Sequence, residues 1–257
     1  MLAGAGDIAM CGVDGANQTA RLLDRIAGGI FTAGDNAYPS GTDRDFAQCY
    51  DPTWGRHRER THPTPGNHEY EAPGAVPYFA YFGANAGPPG RGYYAYTAGA
   101  WQVIALNSQV DVGPNSAQLQ WLRNTLTQER ARCAIAYWHR PLFSSAPRGG
   151  NRDLRDLWRV LYEFGVEIVV VGHDHFYERF APQTPDGSAD PARGIRQFTV
   201  GTGGAPLTPA SGGAANSEVS GSVWGVLVLT LNDGGYAWEF RPVAGASFTD
   251  AGSGTCH

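Results

Sequence analysis

Seven side chains of metal-binding type lie in five short stretches of fixed order: Gly6-Asp7, Gly34-Asp35 with Tyr38, Gly66-Asn67-His68-Glu69, His139, and Gly172-His173-Asp174-His175. Carboxylate, phenol, amide and imidazole in that number suit a pair of cations that activates water and clamps a phosphate. Asp7 and Asp35 each follow a glycine, each close an apolar stretch, and one predicted helix separates them. That strand-helix-strand spacing brings neighbouring parallel strand ends together, where open α/β sheets present their functional groups. A lone Gly-Asp is usually a turn. Two at adjacent strand ends, with histidines arriving at others, read as a site. His173 and His175, one residue apart at a strand exit, can reach two adjacent metals. Tyr38 taken singly would be a packing residue, but beside a trivalent cation its phenol can ionise and ligate. Asn67 offers a neutral carbonyl oxygen to a divalent ion. His68 cannot easily share that ion and is better placed to touch substrate. Glu69 either orients His68 or is a solvated acid. His57, His62 and His257 lack any such context and read as surface residues.

Elements that would position these groups follow from the apolar pattern. Val13 to Ile26 has helical spacing near its end and stops at Gly28-Gly29. Ile30 to Ala33 reads as a buried strand feeding Asp35. Residues 71–92, rich in Gly, Pro and aromatics, read as an ordered loop. Tyr93 to Tyr96 and Trp101 to Leu106 read as strands around a turn at Gly99. Ser116 to Ala131 is a predicted helix with Leu119, Leu122 and Leu126 on one face. Cys133 to Trp138 delivers His139, Asp153 to Phe164 is a second amphipathic helix, and Val166 to Val171 delivers His173. Ile195 to Val200 is a further strand. Pro206 to Gly221 reads as a surface loop. Val223 to Leu231 and Tyr236 to Arg241 form a hairpin about Asp233-Gly234-Gly235. Strands and helices alternating early, with a hairpin late, predict an α/β fold of two mixed sheets packed face to face, helices outside. No boundary divides residues 1–257, which read as a single domain.

Composition narrows the chemistry. The 257 residues are 42% hydrophobic and 12% aromatic, enough for a large core, and the net charge of −5 shows no basic stripe that would favour nucleic acid. All 19 basic residues are arginine, which excludes a Schiff-base or phosphate-loop lysine. No apolar run is long enough to span a bilayer. The chain opens at Met1-Leu2-Ala3-Gly4, almost on its first motif, which suggests a trimmed leader and an expression start at Met1. Cys11, Cys49, Cys133 and Cys256 include no Cys-x-x-Cys pair, so two disulfides in an extracytoplasmic protein or four free thiols remain.

The motifs Gly6-Asp7, Gly34-Asp35-Asn36-Ala37-Tyr38, Gly66-Asn67-His68-Glu69, Tyr137-Trp138-His139 and Gly172-His173-Asp174-His175-Phe176-Tyr177-Glu178-Arg179 together resemble the calcineurin-like metallophosphoesterases. Tyr38 and the trailing Tyr-Glu-Arg resemble the purple acid phosphatase branch. The resemblance implies a four-layer αββα sandwich and a phosphomonoesterase using a metal-bound hydroxide, with diesters or nucleotide phosphoanhydrides as alternative substrates. It implies that Asp7, Tyr38 and His175 hold Fe(III), that Asn67, His139 and His173 hold Fe(II), Zn or Mn, and that Asp35 bridges. His68 would contact the phosphate.

The sequence departs from this pattern where plant and animal relatives carry a histidine, nine or ten residues past the strand-end histidine. Arg148 and Gly149 stand there. Arg148 can grip phosphate but cannot act as a general acid. For the cysteines, Cys11 and Cys49 lie beyond the exits of adjacent predicted strands, and Cys133 begins its strand on the opposite side. The expected pairs are therefore Cys11–Cys49 and Cys133–Cys256, which would place the protein outside the cytoplasm.

Overall fold

Val169 and Val171 face one way from their strand and Ile168 and Val170 the other, and both faces are buried in separate apolar clusters. A strand buried on both sides reads as a continuous apolar run, and it belongs to the middle layers of a sandwich. The computed structural model describes residues 1–129, 131–210 and 213–257. In chain order it begins with β1 (Leu2–Ala5), α1 (Gly15–Leu23), β2 (Gly29–Ala33), α2 (Asp43–Asp45), β3 (Thr61–Thr64), α3 (Val76–Phe82), β4 (Tyr94–Ala98) and β5 (Trp101–Ala105). It continues with α4 (Ala117–Gln128), β6 (Cys133–Tyr137), α5 (Arg155–Glu163), β7 (Ile168–Val171), β8 (Tyr177–Phe180) and β9 (Arg196–Val200). The last strands are β10 (Ser217–Gly221), β11 (Gly225–Asn232), β12 (Gly235–Pro242) and β13 (Asp250–Thr255).

Two mixed sheets result, with orders β13-β12-β11-β1-β2-β3 and β10-β8-β9-β7-β6-β5-β4. In the first, β1, β2 and β3 are parallel and the hairpin β11–β12 joins antiparallel to β1. In the second, β5, β6, β7 and β9 are parallel. The core between the sheets takes Phe31 and Leu227 from one side and Tyr137, Val170 and Phe198 from the other. A second core lies between the β4–β10 sheet and the helices α4 and α5, where Leu119, Leu122, Leu157 and Trp158 are buried. The expected pair of mixed sheets with flanking helices is the architecture observed. The parallel strands β1, β2, β6 and β7 end two residues before Asp7, Asp35, His139 and His173 respectively.

Several local expectations change. The stretch 71–92 contains α3, which starts with Pro77 in its first turn, where a missing N–H costs nothing. Tyr78 and Phe82, one helical turn apart, bury its inner face. The expected loop Pro206–Gly221 ends in β10, which has no apolar pattern and forms by pairing with β8; its Ser211 and Gly212 lie outside the described residues. The helix expected from Ser116 to Ala131 ends at Gln128, and Arg130 also lies outside the described residues. His57 is not a surface residue: it is 8% exposed, with Nε2 3.3 Å from the Ala20 carbonyl. His62 stacks on Tyr96 at 3.9 Å, and His257 Nδ1 stands 2.7 Å from Glu167.

Both disulfides pair as expected, Cys11–Cys49 and Cys133–Cys256. They tie β1's exit loop to residues 46–50 and the start of β6 to the chain's last strand. Closing loops of these lengths stabilises a fold by roughly 3–5 kcal/mol each.

Candidate metal centre

Asp7, Asp35 and His173 have φ of 59°, 50° and 72°, so among the described residues three of the five non-glycine residues with positive φ are expected ligands. Such backbone costs about 1–3 kcal/mol per residue and persists only where its surroundings impose it. Here main-chain bonds do so. His173 N donates to Asp7 Oδ2 at 2.8 Å, and His68 N donates to Asp35 Oδ1 at 2.9 Å. The neighbouring glycines serve close approach. A Cβ on Gly66 would stand 2.1 Å from Asp35 Oδ1, and one on Gly172 would stand 2.6 Å from Asp7 Oδ2.

All seven expected ligands come together, in two groups. Tyr38 Oη lies 2.9 Å from Asp7 Oδ1, 3.1 Å from His175 Nε2 and 3.2 Å from Asp35 Oδ2. His139 Nε2 lies 3.1 Å from each of Asn67 Oδ1, Asp35 Oδ2 and His173 Nδ1. The groups share one atom, Asp35 Oδ2. Neither is a satisfactory hydrogen-bond cluster, because one phenol proton or one N–H cannot serve three neighbours. Both have the spacing of ligands around a cation. Bonds of about 2.1 Å at right angles put adjacent donors about 3.0 Å apart. Asp35, His139 and His173 alone offer donor atoms within 4.8 Å of one another. The chemistry of the donors, hard oxygens with imidazole nitrogens, fits a transition-metal site.

The imidazoles are aimed by their far nitrogens. His139 Nδ1 bonds the Ala33 carbonyl at 2.9 Å and His175 Nδ1 bonds the Pro206 carbonyl at 2.7 Å. Each bond puts the proton on Nδ1 and leaves Nε2 as the ligating atom, the usual outer support of a metal-bound histidine.

Without a cation the cluster is electrostatically strained. Burial would lower the proton affinity of His139 and His175, but the charges of Asp35 and Asp7 respectively outweigh it, raising both to about 9. Burial and the charge on His139 push His173 down to about 4. Burial would raise the Asp35 carboxyl, yet His139 and His68 hold it well below the usual carboxylate range. Burial, reinforced by Asp7 and Asp35, pushes the Tyr38 phenol well above its ordinary value. Two protons on imidazoles thus occupy the electrostatic role that metal cations would take.

His68 stands beside the seven. Its ring centroid is 4.5 Å from that of Tyr38 and its Nε2 is 3.8 Å from Asp35 Oδ2. Its Nδ1 faces the Pro39 carbonyl and, at 3.2 Å, Glu71, whose other oxygen accepts from Ser40 Oγ at 2.6 Å. Arg148 is exposed, in a turn of the loop after His139, and no hydrogen bond or ion pair ties it to the cluster among the described residues.

Three supports were not read from sequence. Glu69 is fully buried, neither solvated nor orienting His68. Its carboxylate accepts from the backbone N–H groups of Asn36, Ala37 and Gly66 at 2.7–3.1 Å, lacing two ligand loops together. Burial and the charge of Asp35 raise it to about 7. Asp174 accepts from Ser144 Oγ at 2.5 Å. Glu178 accepts from Ser145 Oγ at 2.5 Å and Ser217 Oγ at 2.6 Å. Both anchor the loop after β6. Asp174 and Glu178 stand within the last motif, where burial beside ligands was the available signal; the Pro206 carbonyl had none.

A family model described as calcineurin-like phosphoesterase matches residues 2–177. Purple acid phosphatase 18 of Arabidopsis thaliana is 32% identical over 155 residues, covering 55% of this chain and 35% of that protein. The chain therefore spans about a third of that relative's length. Among solved structures, the purple acid phosphatase PPD1 from yellow lupin seeds aligns with a TM-score of 0.79 at 19% identity, over 98% of this chain and 53% of that one. GAP50, the anchor in the inner membrane complex of Plasmodium, aligns with a TM-score of 0.76 at 14% identity, over 100% and 88%. At these identities the structures speak for a common fold.

Proposed function

The chain belongs to the calcineurin-like phosphoesterase family, in its purple acid phosphatase-like branch, and from that premise we propose that it hydrolyses phosphomonoesters at a centre of two metal ions. The observation that carries this reading is the pair of donor groups meeting at Asp35 Oδ2. In it, Asp7, Tyr38 and His175 hold one ion, Asn67, His139 and His173 hold the other, and Asp35 bridges. The proposed pair is Fe(III) with Fe(II), Zn or Mn. Bound there, the ions would lower the pKa of water and neutralise phosphate charge.

The chain's own groups supply the rest. His68, held through Nδ1 by the Pro39 carbonyl and Glu71, turns Nε2 toward the Asp35 side, where it can hydrogen-bond a phosphoryl or leaving-group oxygen. Arg148, on the loop anchored by Ser144 and Ser145, is proposed to close on the substrate phosphate as a fixed cation. Water attacks phosphorus in line, and the departing alkoxide takes its proton from His68 or solvent. The two disulfides support an oxidising, extracytoplasmic setting. Among the described residues no helix is long and apolar enough to cross a membrane.

Elemental analysis, visible spectra and a panel of nitrophenyl mono- and diesters test the proposal. Two metals per chain, faster turnover of monoesters, and a phenolate charge-transfer band lost in Tyr38→Phe are expected. Full activity with a single bound metal, or a clear preference for diesters, would sink it.

A further inference from the structure

Behind the loop that follows His139 lies a half-open cavity of about 300 Å³, and none of the seven clustered ligands lines it. Its wall includes Phe143 and Phe180 as apolar surface, Arg152 and Arg155 as cations, Asp186, and Gln183. Two arginines against one aspartate leave one positive charge in excess. Gln183 is fully buried. Its carbonyl oxygen accepts from Asn216 Nδ2 at 3.0 Å, which fixes the amide's orientation. The amide nitrogen of Gln183 then has no hydrogen-bond partner among the described residues, and neither does the buried Nε of Arg155. That Nε is 3.7 Å from Asp186 Oδ1, an ion-pair distance too long for a hydrogen bond.

Buried donors without acceptors are rare and each calls for a cause. Here two unpaired donors, an excess positive charge and aromatic walls meet at one cavity. A larger cleft of about 710 Å³, on the other side of Arg152 and Arg155, lacks this signature, since its three arginines face three aspartates. We propose that the smaller cavity binds a small organic monocarboxylate. Its head would accept from Gln183 Nε2 and the arginines, and its apolar body would lie against Phe143 and Phe180. The size fits the lower end of small-molecule sites. The site is separate from the phosphate-binding centre and stands whether or not the phosphatase reading holds.

Benzoate is the probe, titrated into the purified chain by calorimetry and by ligand-observed NMR. Saturable binding with one site per chain and a Kd on the order of 1 mM is expected. Arg155→Gln removes a charge, and Gln183→Glu turns the donating amide into a like charge. Each is expected to weaken benzoate at least about tenfold while keeping the parent's melting temperature within a few degrees. Inorganic phosphate in excess should not displace benzoate, and benzamide should not bind. Displacement by phosphate would put the probe in the metal centre and overturn the proposal. So would affinity unchanged in both variants, or no saturable binding at millimolar concentration.

Discussion

Two clusters of buried charge among the described residues, one around Asp250 and one around Asp35, solve the same problem in opposite ways. At one, Asp250, 8% exposed, accepts from Tyr177 Oη at 2.6 Å, Arg179 Nε at 2.7 Å, Trp238 Nε1 at 3.0 Å and Arg179 Nη2 at 3.1 Å. Arg179 and Arg196 each lie 5.0 Å from the Trp238 ring centroid. Every carboxylate oxygen there has donors, and a cation is built in. At the other, around Asp35, acceptors outnumber protons and the backbone is forced to positive φ at three ligands. A buried charge satisfied by its own neighbours is a structural device. One left short of cations by a rigid frame is built for something that arrives from outside.

The sharpest way to break this contrast is to mutate its two aspartates. Asp35→Asn removes the shared oxygen's charge, and turnover of nitrophenyl phosphate should fall at least about a thousandfold, or about 4 kcal/mol of barrier. Activity within tenfold of the parent would contradict the reading. Asp250→Ala should do the reverse. Tyr177, Trp238 and Arg179 Nε lose their shared acceptor, while Glu218 still pairs with Arg179 Nη1, at a cost of about 3 kcal/mol, a fall of about 6–12 °C in melting temperature, with turnover per folded molecule unchanged. Loss of turnover with full stability would remove the distinction.

Acidity separates the clusters next. His139 and His175 are raised to about 9, so below that pH each carries a proton that a metal must displace. Metal affinity should therefore fall as pH drops, by about tenfold per unit for each imidazole proton displaced, with a shallower slope above about pH 9, where only the Tyr38 phenol still has a proton to give up. Equilibrium dialysis across pH 6–10 measures it, and a flat profile would be the wrong answer. Burial opposes the ionised Asp250, but Arg179 and Tyr177 hold its carboxyl below the ordinary value of 3.8. A depressed carboxyl stabilises the fold above its unfolded pKa and loses that contribution only as pH falls through the folded value. The Asp250 cluster should thus be indifferent across the range in which metal affinity changes.

The smallest effect tests how complete the structural cluster is. Trp238→Phe deletes one donor to Asp250 and keeps most of the ring. It should cost about 1 kcal/mol, or about 2–4 °C, leaving metal content and turnover alone. A loss several times larger would mean that the ring under Arg179 and Arg196 carries more of the cluster than its hydrogen bond.

The candidate metal centre was legible because its signal is local. Asp7, Asp35, His139 and His173 each follow a short apolar run, and residue type plus strand exit is enough to nominate them, with His175 two residues beyond His173. The Asp250 cluster was not legible, because nothing near Asp250 distinguishes it from a turn aspartate; its partners come from β8 and β12, strands of different sheets that meet only when the two sheets pack face to face. Helix α3 was hidden by Pro77 and Gly74, which look like breakers when counted and act as a start signal when placed. His57 and His62 were misread for a similar reason: burial is conferred by segments distant in the chain.

Sequence alone determined the chemistry available at the centre and the layered fold that brings strand ends together, since both rest on residue type and apolar period. Tertiary structure decided what those groups must endure. Only the packed chain puts three donors about 3.1 Å from one imidazole nitrogen. It alone turns Glu69 inward as a brace for Asn36, Ala37 and Gly66, and lends the Pro206 carbonyl to His175. Backbone carbonyls and amides are the same at every position in a sequence, so which of them meet a side chain is fixed by the fold.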